Sequence, residues 1–311
     1  MSASLTRGSS AAIDLAAFLA REQEEVERAL AAVTAEVLPT LSLTLREPVG
    51  YALGTRGKRL RPILCCAACR AVGGNPPGEA IYRLSCALEI VHTYSLVHDD
   101  LHCMDDDDLR RGRPTVHRVY GAPLAALAGA ALLPIAAELL EAEASALGLA
   151  AADSGRLVAE LCAAAGAEGM VGGQLLDLEA EARPVDRAGL EAIHRSKTGA
   201  LLAVSLRLGA LAAGAGERET EALTACGRAL GLAFQIADDI LDVTGNSAAL
   251  GKTAGRDQSL GKATYPALHG LEGARALARA KADEAVAALR GAGIASPELE
   301  ALALHVVERR Q

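Results

Sequence analysis

Strand-like sequence is almost missing from this 311-residue chain. Alternating β-branched runs, the mark of a half-buried strand, are nearly absent, which excludes a predominantly β architecture. Positive charge is in deficit. Lys and Arg number 31 against 39 Asp and Glu, a net charge of −8, so no nucleic-acid partner is expected and no basic membrane-binding surface is available. The seven cysteines, at 65, 66, 69, 86, 103, 162 and 226, show no two-pair zinc spacing. Their odd number, and the lack of an apolar stretch in "MSASLTRGSS", point to reduced thiols and a cytoplasmic protein. No G-x-x-x-x-G-K-[ST] sequence occurs, which excludes a P-loop phosphate site.

What is present has helical periodicity. Apolar residues recur every three or four positions in "IDLAAFLAREQEEVERALAAVTAEVLPTL" and "LTACGRALGLAFQIADDILDVTG". Breaks fall at "GGNPPG" (73–78), "RPVD" (183–186), "GAGE" (214–217) and "TGNSAALG" (244–251), and none is long enough to separate domains. The expectation is a single all-α domain of ten or more helices over residues 13–311, preceded by a flexible N-terminus at 1–12. Residues 119–137 are uncharged over a length that could cross a membrane, but they are rich in Ala and Gly and carry Pro123 and Pro134. A buried bundle helix fits them better, and no membrane span is expected. Cys65, Cys66 and Cys69 read as small core residues.

One segment stands out, "LVHDDLHCMDDDDLRRGRPTVH" at 96–117. Six aspartates fall within ten positions, three arginines follow, and the run continues directly from the apolar "LEIVHTYSLVH". Carboxylates at the mouth of an apolar wall need compensation. Asp99, Asp100 and Asp105 form D-D-x-x-x-x-D, and far downstream Asp238, Asp239 and Asp242 form D-D-x-x-D. On a helix Asp238 and Asp242 are neighbours on one face. Asp99 and Asp105 are rotated apart by about 120°, so the helix must bulge or end within Leu101–Met104 for them to converge. Two facing carboxylate clusters suit Mg²⁺, which takes oxygen ligands and is commonly shared between carboxylates and substrate phosphates. Cations that suit phosphate recur at Lys58, Arg59, Arg61, Arg110, Arg111, Arg113, Lys197 (beside Thr198), Lys252 and Lys262. If Arg110 and Arg111 were helical, their side chains would diverge by about 100° and could not grip one diphosphate equally.

Taken in order, "GKRLRP", "HDDLHCMDDDDLRRGRPTVH", "GMVGGQLLDLEAE", "HRSKTGALL", "FQIADDILDVTG" and "LGKATYPAL" resemble the trans-isoprenyl diphosphate synthases of the polyprenyl synthetase family over roughly residues 45–270. The match is nearest to the bacterial-type farnesyl diphosphate synthases. The resemblance implies an all-α isoprenoid synthase fold around a deep central cavity, with the two aspartate motifs facing across its mouth. It also implies that Asp99, Asp105 and Asp238 hold three Mg²⁺ ions, with Mn²⁺ as a substitute, and that Asp100 and Asp239 serve the same catalytic motifs. Arg110, Lys197, Gln235 and Lys262 would contact the allylic diphosphate, with Thr198 beside them. Gly57, Lys58, Arg61, His92 and Arg111 would bind isopentenyl diphosphate. The implied reaction condenses isopentenyl diphosphate head-to-tail with dimethylallyl or geranyl diphosphate, giving farnesyl diphosphate and diphosphate, in a cytoplasmic homodimer.

Tyr94 lies five places before the first aspartate, about 7.5 Å deeper along a helical wall, where an aromatic ring can floor the cavity and stop growth at C15. Longer-chain relatives of this type tend to carry Met or Ala there. The chain departs from the family pattern at Ala130, where "AGA" replaces the usual "AGD". His102 and Cys103 beside the aspartates suggest zinc, but most bacterial-type members have small residues or proline there, so both read as loop variation. His98 gains no role from the match. Three other readings stay open: a geranylgeranyl diphosphate synthase, a class I terpene cyclase, and a non-catalytic partner subunit. The cyclase normally mixes Asn, Ser or Thr with Glu in its second motif. The silent subunit usually loses an aspartate motif, and this chain keeps both.

Overall fold

The structure, a computed structural model, describes residues 13–73, 76–180, 185–244 and 263–308. The flexible segment expected at 1–12, Lys252 and Lys262 lie outside these described residues.

The Asp14 carboxylate accepts the Ala17 N–H at 3.0 Å and so opens α1 (Leu15–Val37). Phe18, Val26, Leu30 and Val33 bury one face of this helix at the expected three- and four-residue spacing. A 3₁₀ turn (Leu38–Thr40) leads to α2 (Leu43–Leu53), then come α3 (Leu60–Gly73) and α4 (Glu79–Asp99). The only strands among the described residues are β1 (Leu109–Arg110) and β2 (Arg113–Pro114), an antiparallel hairpin pairing Leu109 with Pro114 and Arg110 with Arg113. Helices α5 (Val116–Tyr120), α6 (Ala122–Ala146), α7 (Ala151–Ala165), α8 (Met170–Ala180) and α9 (Arg187–His194) follow. A π-helical turn (Arg195–Gly199) runs straight into α10 (Ala200–Ala212). The chain continues through α11 (Glu217–Thr244), α12 (Tyr265–Ala292, kinked at Gly270 where φ is 69°) and α13 (Pro297–Glu308). The all-α bundle of more than ten helices is as the periodicity predicts.

The bundle is organised around α10. Ten of its thirteen residues are buried, and it packs on α3, α7 and α11 and also touches α4. Helix α4 lies along α6, and α11 along α12. The helices ending in the two aspartate motifs therefore share one apolar support. Cys65, Cys66, Cys69, Cys86 and Cys226 are all buried, and burial pushes the Cys86 and Cys226 thiols up to about 12. They pack as core residues.

Helix α6 is long and apolar enough to cross a membrane, yet Ala125, Ala128, Leu132, Ala136 and Leu140 are fully buried within the bundle. Its outward face carries Leu127, Ala130 and Pro134.

The helical geometry assumed for Arg110 and Arg111 does not hold. Arg110 sits in β1, and Arg111 occupies the hairpin turn with φ of 53°. Two-residue turns require this left-handed backbone, so the divergence of the two side chains comes from the turn.

Candidate active site

Helix α4 ends, as the aspartate spacing requires, but at Asp99, just before the interval Leu101–Met104 expected from sequence. A tight loop follows in which Asp105 N–H bonds Asp99 O at 2.8 Å and Asp107 N–H bonds Asp100 O at 3.2 Å. These bonds satisfy carbonyls left open at the helix end and bring Asp105 back beside Asp99. Burial raises the Asp99 carboxyl to about 6; Lys197 opposes the rise and the charge of Asp105 adds to it. Asp100 is buried and turned into a different network. Arg110 donates to it from Nε at 2.9 Å and Nη2 at 2.5 Å, and also reaches Asp107 at 3.1 Å.

On α11, Gln235, Asp238 and Asp242 follow at one-turn intervals and share a face. Asp242 Oδ2 is buried without a hydrogen-bond partner, and the charge of Asp238 is felt at Arg61. Its neighbour Asp239 is buried and accepts the Tyr265 N–H at 2.9 Å, capping the start of α12. The adjacent aspartates of each motif thus divide the work: Asp100 and Asp239 make structural contacts, whereas Asp99 and Asp238 face the charged groups between the helices.

Lys197 lies in the π-helical turn, a local distortion frequent at functional sites. Its Nζ donates to Asp177 at 2.6 Å, and Thr198 is half-buried beside it. Helix α8 crosses this turn so closely that a Cβ on Gly173 would lie 2.1 Å from Lys197 N. Asp177 and, one turn earlier, Gln174 belong to the same cluster. Gln174 Oε1 is buried without a partner, and its Nε2 approaches Met104 of the aspartate loop. Sequence reasoning assigned neither residue, although their i, i+3 spacing in "GQLLDLE" was a usable signal.

A third cluster is basic. Arg59 is 3% exposed and committed to structure, bonding Glu89 at 2.6 Å, Glu27 at 2.9 Å and Thr55 O at 2.8 Å. Its charge is felt at His92 and Arg111, and the charge of Arg61 is felt at His92 as well. Arg61 Nε is buried without a partner. Burial lowers its guanidinium to about 10, with Arg111 adding to the fall against Glu89 and Asp238. His92 is driven well below its ordinary value by burial and by Arg61, Arg111, Arg110 and Arg59. Arg111 lies flat over Gly57, where a Cβ would sit 2.2 Å from its Nη1, and donates to Arg56 O at 3.0 Å. Crowded cations with an orphaned buried N–H form a seat for a polyanion.

Tyr94 is half-buried, just over a turn before Asp99 on α4. Its ring meets His98 edge to face with centroids 4.7 Å apart. His98 Nε2 lies 3.0 Å from Ala126 O on α6, and its ring occupies the space that a Cβ on Gly129 would fill. Ala130 itself is exposed on the outer face of α6.

The polyprenyl synthetase family model matches residues 42–292. The chain belongs to the polyprenyl synthetase family. It is 46% identical over 283 residues to geranylgeranyl pyrophosphate synthase 9, chloroplastic, of Arabidopsis thaliana, covering 90% of this chain and 77% of that one. It is 45% identical over 278 residues to farnesyl diphosphate synthase of Escherichia coli (strain K12), covering 88% and 92%. Among solved structures it superposes on an FPP/GFPP synthase from Zymomonas mobilis with a TM-score of 0.80 and 37% identity, over 94% of this chain and 99% of that one. Geranylgeranyl pyrophosphate synthetase from Pyrococcus horikoshii Ot3 gives a TM-score of 0.81 at 29% identity, over 94% and 99%.

This polyprenyl synthetase is a short-chain trans-prenyltransferase whose substrates are an allylic diphosphate and isopentenyl diphosphate. The family generally uses Mg²⁺. The residues present fit that ion: Asp99, Asp105 and Asp238 offer oxygen donors only, and Asp99 is held at about 6 because burial and Asp105 leave it short of positive charge.

Proposed function

We propose that this prenyltransferase is a farnesyl diphosphate synthase, joining isopentenyl diphosphate to dimethylallyl and then geranyl diphosphate and stopping at C15. The observation that carries the product assignment is the Tyr94 ring, braced by His98 against α6. Relatives named for C15 and C20 products match this chain equally well, so overall identity does not discriminate between them. What supports the C15 reading is the ring on the wall below Asp99. A longer chain must displace it at an overpacking cost of typically ~1–3 kcal/mol. Geranylgeranyl diphosphate synthesis is the second reading, favoured by the names of the plant relatives.

In the proposed mechanism, Gly57, Lys58, Arg61, His92 and Arg111 hold the diphosphate of isopentenyl diphosphate beneath the basic cluster. Arg110, Lys197, Thr198 and Gln235 bind the allylic diphosphate, together with Lys262, which lies outside the described residues. Asp99, Asp105 and Asp238 would hold Mg²⁺, which when bound supplies positive charge against the diphosphate oxygens. Breaking the allylic C–O bond leaves an allyl cation and inorganic diphosphate, so what these cationic side chains stabilise is charge developing on the leaving group. The isopentenyl alkene then attacks the cation, forming the new C–C bond. A proton passes to the released diphosphate, and no catalytic His or Ser is required. The apolar wall below Asp99 keeps water from the cation.

We further propose a homodimer, supported by the exposed apolar stripe of Leu127, Ala130 and Pro134 on α6, and a cytoplasmic location, supported by seven unpaired thiols. The deciding experiment is product chain-length analysis with dimethylallyl, geranyl and farnesyl diphosphates as separate co-substrates. C15 from the first two and none from the third supports the proposal; C20 as the main product overturns it.

A further inference from the structure

The loop that closes the first aspartate motif carries a second cluster, one that prenyl transfer does not use. His102 Nδ1 lies 2.5 Å from Asp106 Oδ1. The His102 and His117 rings meet edge to face with centroids 4.5 Å apart. One ligand atom from each of His102, Asp106 and His117 falls within 4.8 Å of the other two.

His117 is the decisive member. It is 3% exposed, and its Nε2 is buried with no hydrogen-bond partner. Its other nitrogen fixes the tautomer. Thr115 Oγ1 has a single hydrogen, and this is donated to Asp107 O at 2.8 Å. Towards His117 Nδ1, 3.1 Å away, Thr115 Oγ1 therefore acts as acceptor, which places the imidazole proton on Nδ1. Nε2 is left with a bare lone pair, out of water, on a ring that packs edge to face against His102. A buried imidazole whose outer nitrogen is held by a second residue is the usual state of a metal-binding histidine.

The geometry points to a binding site for one transition-metal ion of the zinc class at His102, Asp106 and His117, separate from the Mg²⁺ carboxylates. Two imidazole nitrogens and one carboxylate match the donor preference of Zn²⁺ and leave its fourth position for water. They suit Mg²⁺ poorly, since that ion prefers an all-oxygen octahedron. The site opens to solvent, with the His102 and Asp106 side chains 54% and 59% exposed. Among the described residues, Arg118, whose charge is felt at His117, is already engaged by Asp108.

His102 and Asp106 come from the loop after α4, and His117 from the start of α5 beyond the β1–β2 hairpin. A metal here ties the loop bearing Asp105 to the base of the hairpin bearing Arg110 and Arg111. Its role is a clamp on the mouth of the active site. The reading of His102 as indifferent loop variation is revised accordingly.

The test is a titration of chelator-treated full-length protein with ZnCl₂ against a chromophoric competitor, in excess Mg²⁺. The expected result is one Zn²⁺ per chain that Mg²⁺ does not displace, with Co²⁺ giving visible ligand-field absorption at the same stoichiometry. His102→Ala and Asp106→Asn, both at exposed positions, should each weaken binding at least ~10-fold, the loss already typical of removing an outer-shell partner. Cys103→Ser and Asp99→Asn should leave the affinity unchanged. The proposal is overturned if His102→Ala binds Zn²⁺ like the wild type, if Mg²⁺ displaces the ion, or if Cys103→Ser or Asp99→Asn abolishes binding. Every readout is binding, so failure here leaves the C15 assignment untouched, and the reverse also holds.

Discussion

Asp105 donates its backbone N–H to the carbonyl oxygen of Asp99 across 2.8 Å. This bond resolves the spacing problem of the first aspartate motif. Six residues of continuous helix would set the two carboxylates about 120° apart. Ending α4 at Asp99 and looping back sets them together, close enough that the charge of Asp105 adds to the rise of the Asp99 carboxyl.

The hairpin separates two adjacent arginines. Arg110 is committed to Asp100 and Asp107, and Arg111 lies over Gly57 in the basic cluster. Arg110→Ala should chiefly raise KM for the allylic diphosphate, and Arg111→Ala chiefly KM for isopentenyl diphosphate. Charge-assisted contacts of ~1.5–3 kcal/mol correspond to about 10- to 100-fold in each case. Steady-state kinetics with each substrate varied in turn checks this. Equal effects of both variants on both substrates would sink the division.

Tyr94→Ala should shift the product toward C20 and admit farnesyl diphosphate as co-substrate, because the ring braced by His98 is removed. Chromatography of dephosphorylated products reads the outcome. A variant that still stops cleanly at C15 would mean the floor is formed elsewhere.

His194 ends α9 immediately before the π-helical turn that carries Lys197. It is 8% exposed and packs against Tyr265, with ring centroids 5.5 Å apart. Burial lowers its imidazole to about 4, with Lys197 adding to the fall and Asp177 opposing it. Unfolded chain binds this proton near pH 6.5 and folded chain only near 4, so the His194 contribution is full above 6.5 and is lost as pH falls between those values. The loss approaches about 3 kcal/mol. Urea midpoints from pH 7.5 to 4.5 should fall more steeply for the wild type than for His194→Gln. Parallel slopes would contradict the assignment.

How much of this was legible beforehand depends on whether a feature is local. Helical periodicity, the core cysteines and the pairing of Asp238 with Gln235 and Asp242 on one face follow from spacings within single helices. The break after Asp99 was legible because two carboxylates had to converge. Other features are set by partners far away in the chain. Arg59 and Arg61 look alike in "GKRLRP", and only the buried Glu89 and the nearby Glu27 commit the first to structure. Asp239 looks like Asp238 until Tyr265 appears at its carboxylate. The helical treatment of Arg110 and Arg111 failed although the turn holds Gly112, the usual signal of a left-handed position; Arg111 beside it takes the same left-handed backbone without being Gly or Asn. His102 and His117 are fifteen residues apart, and nothing in their spacing announces that they meet.

The central claim is that the two aspartate motifs, on separate helices supported by α10, act as one metal-dependent site. Its most direct test is Mg²⁺-dependent diphosphate release from isopentenyl plus geranyl diphosphate by Asp99→Ala and Asp238→Ala, with circular dichroism as a check on folding. Each variant should keep its helical spectrum and lose about 10²–10³-fold or more in turnover. An Asp238→Ala protein that turns over at a near-wild-type rate in Mg²⁺ would contradict the account.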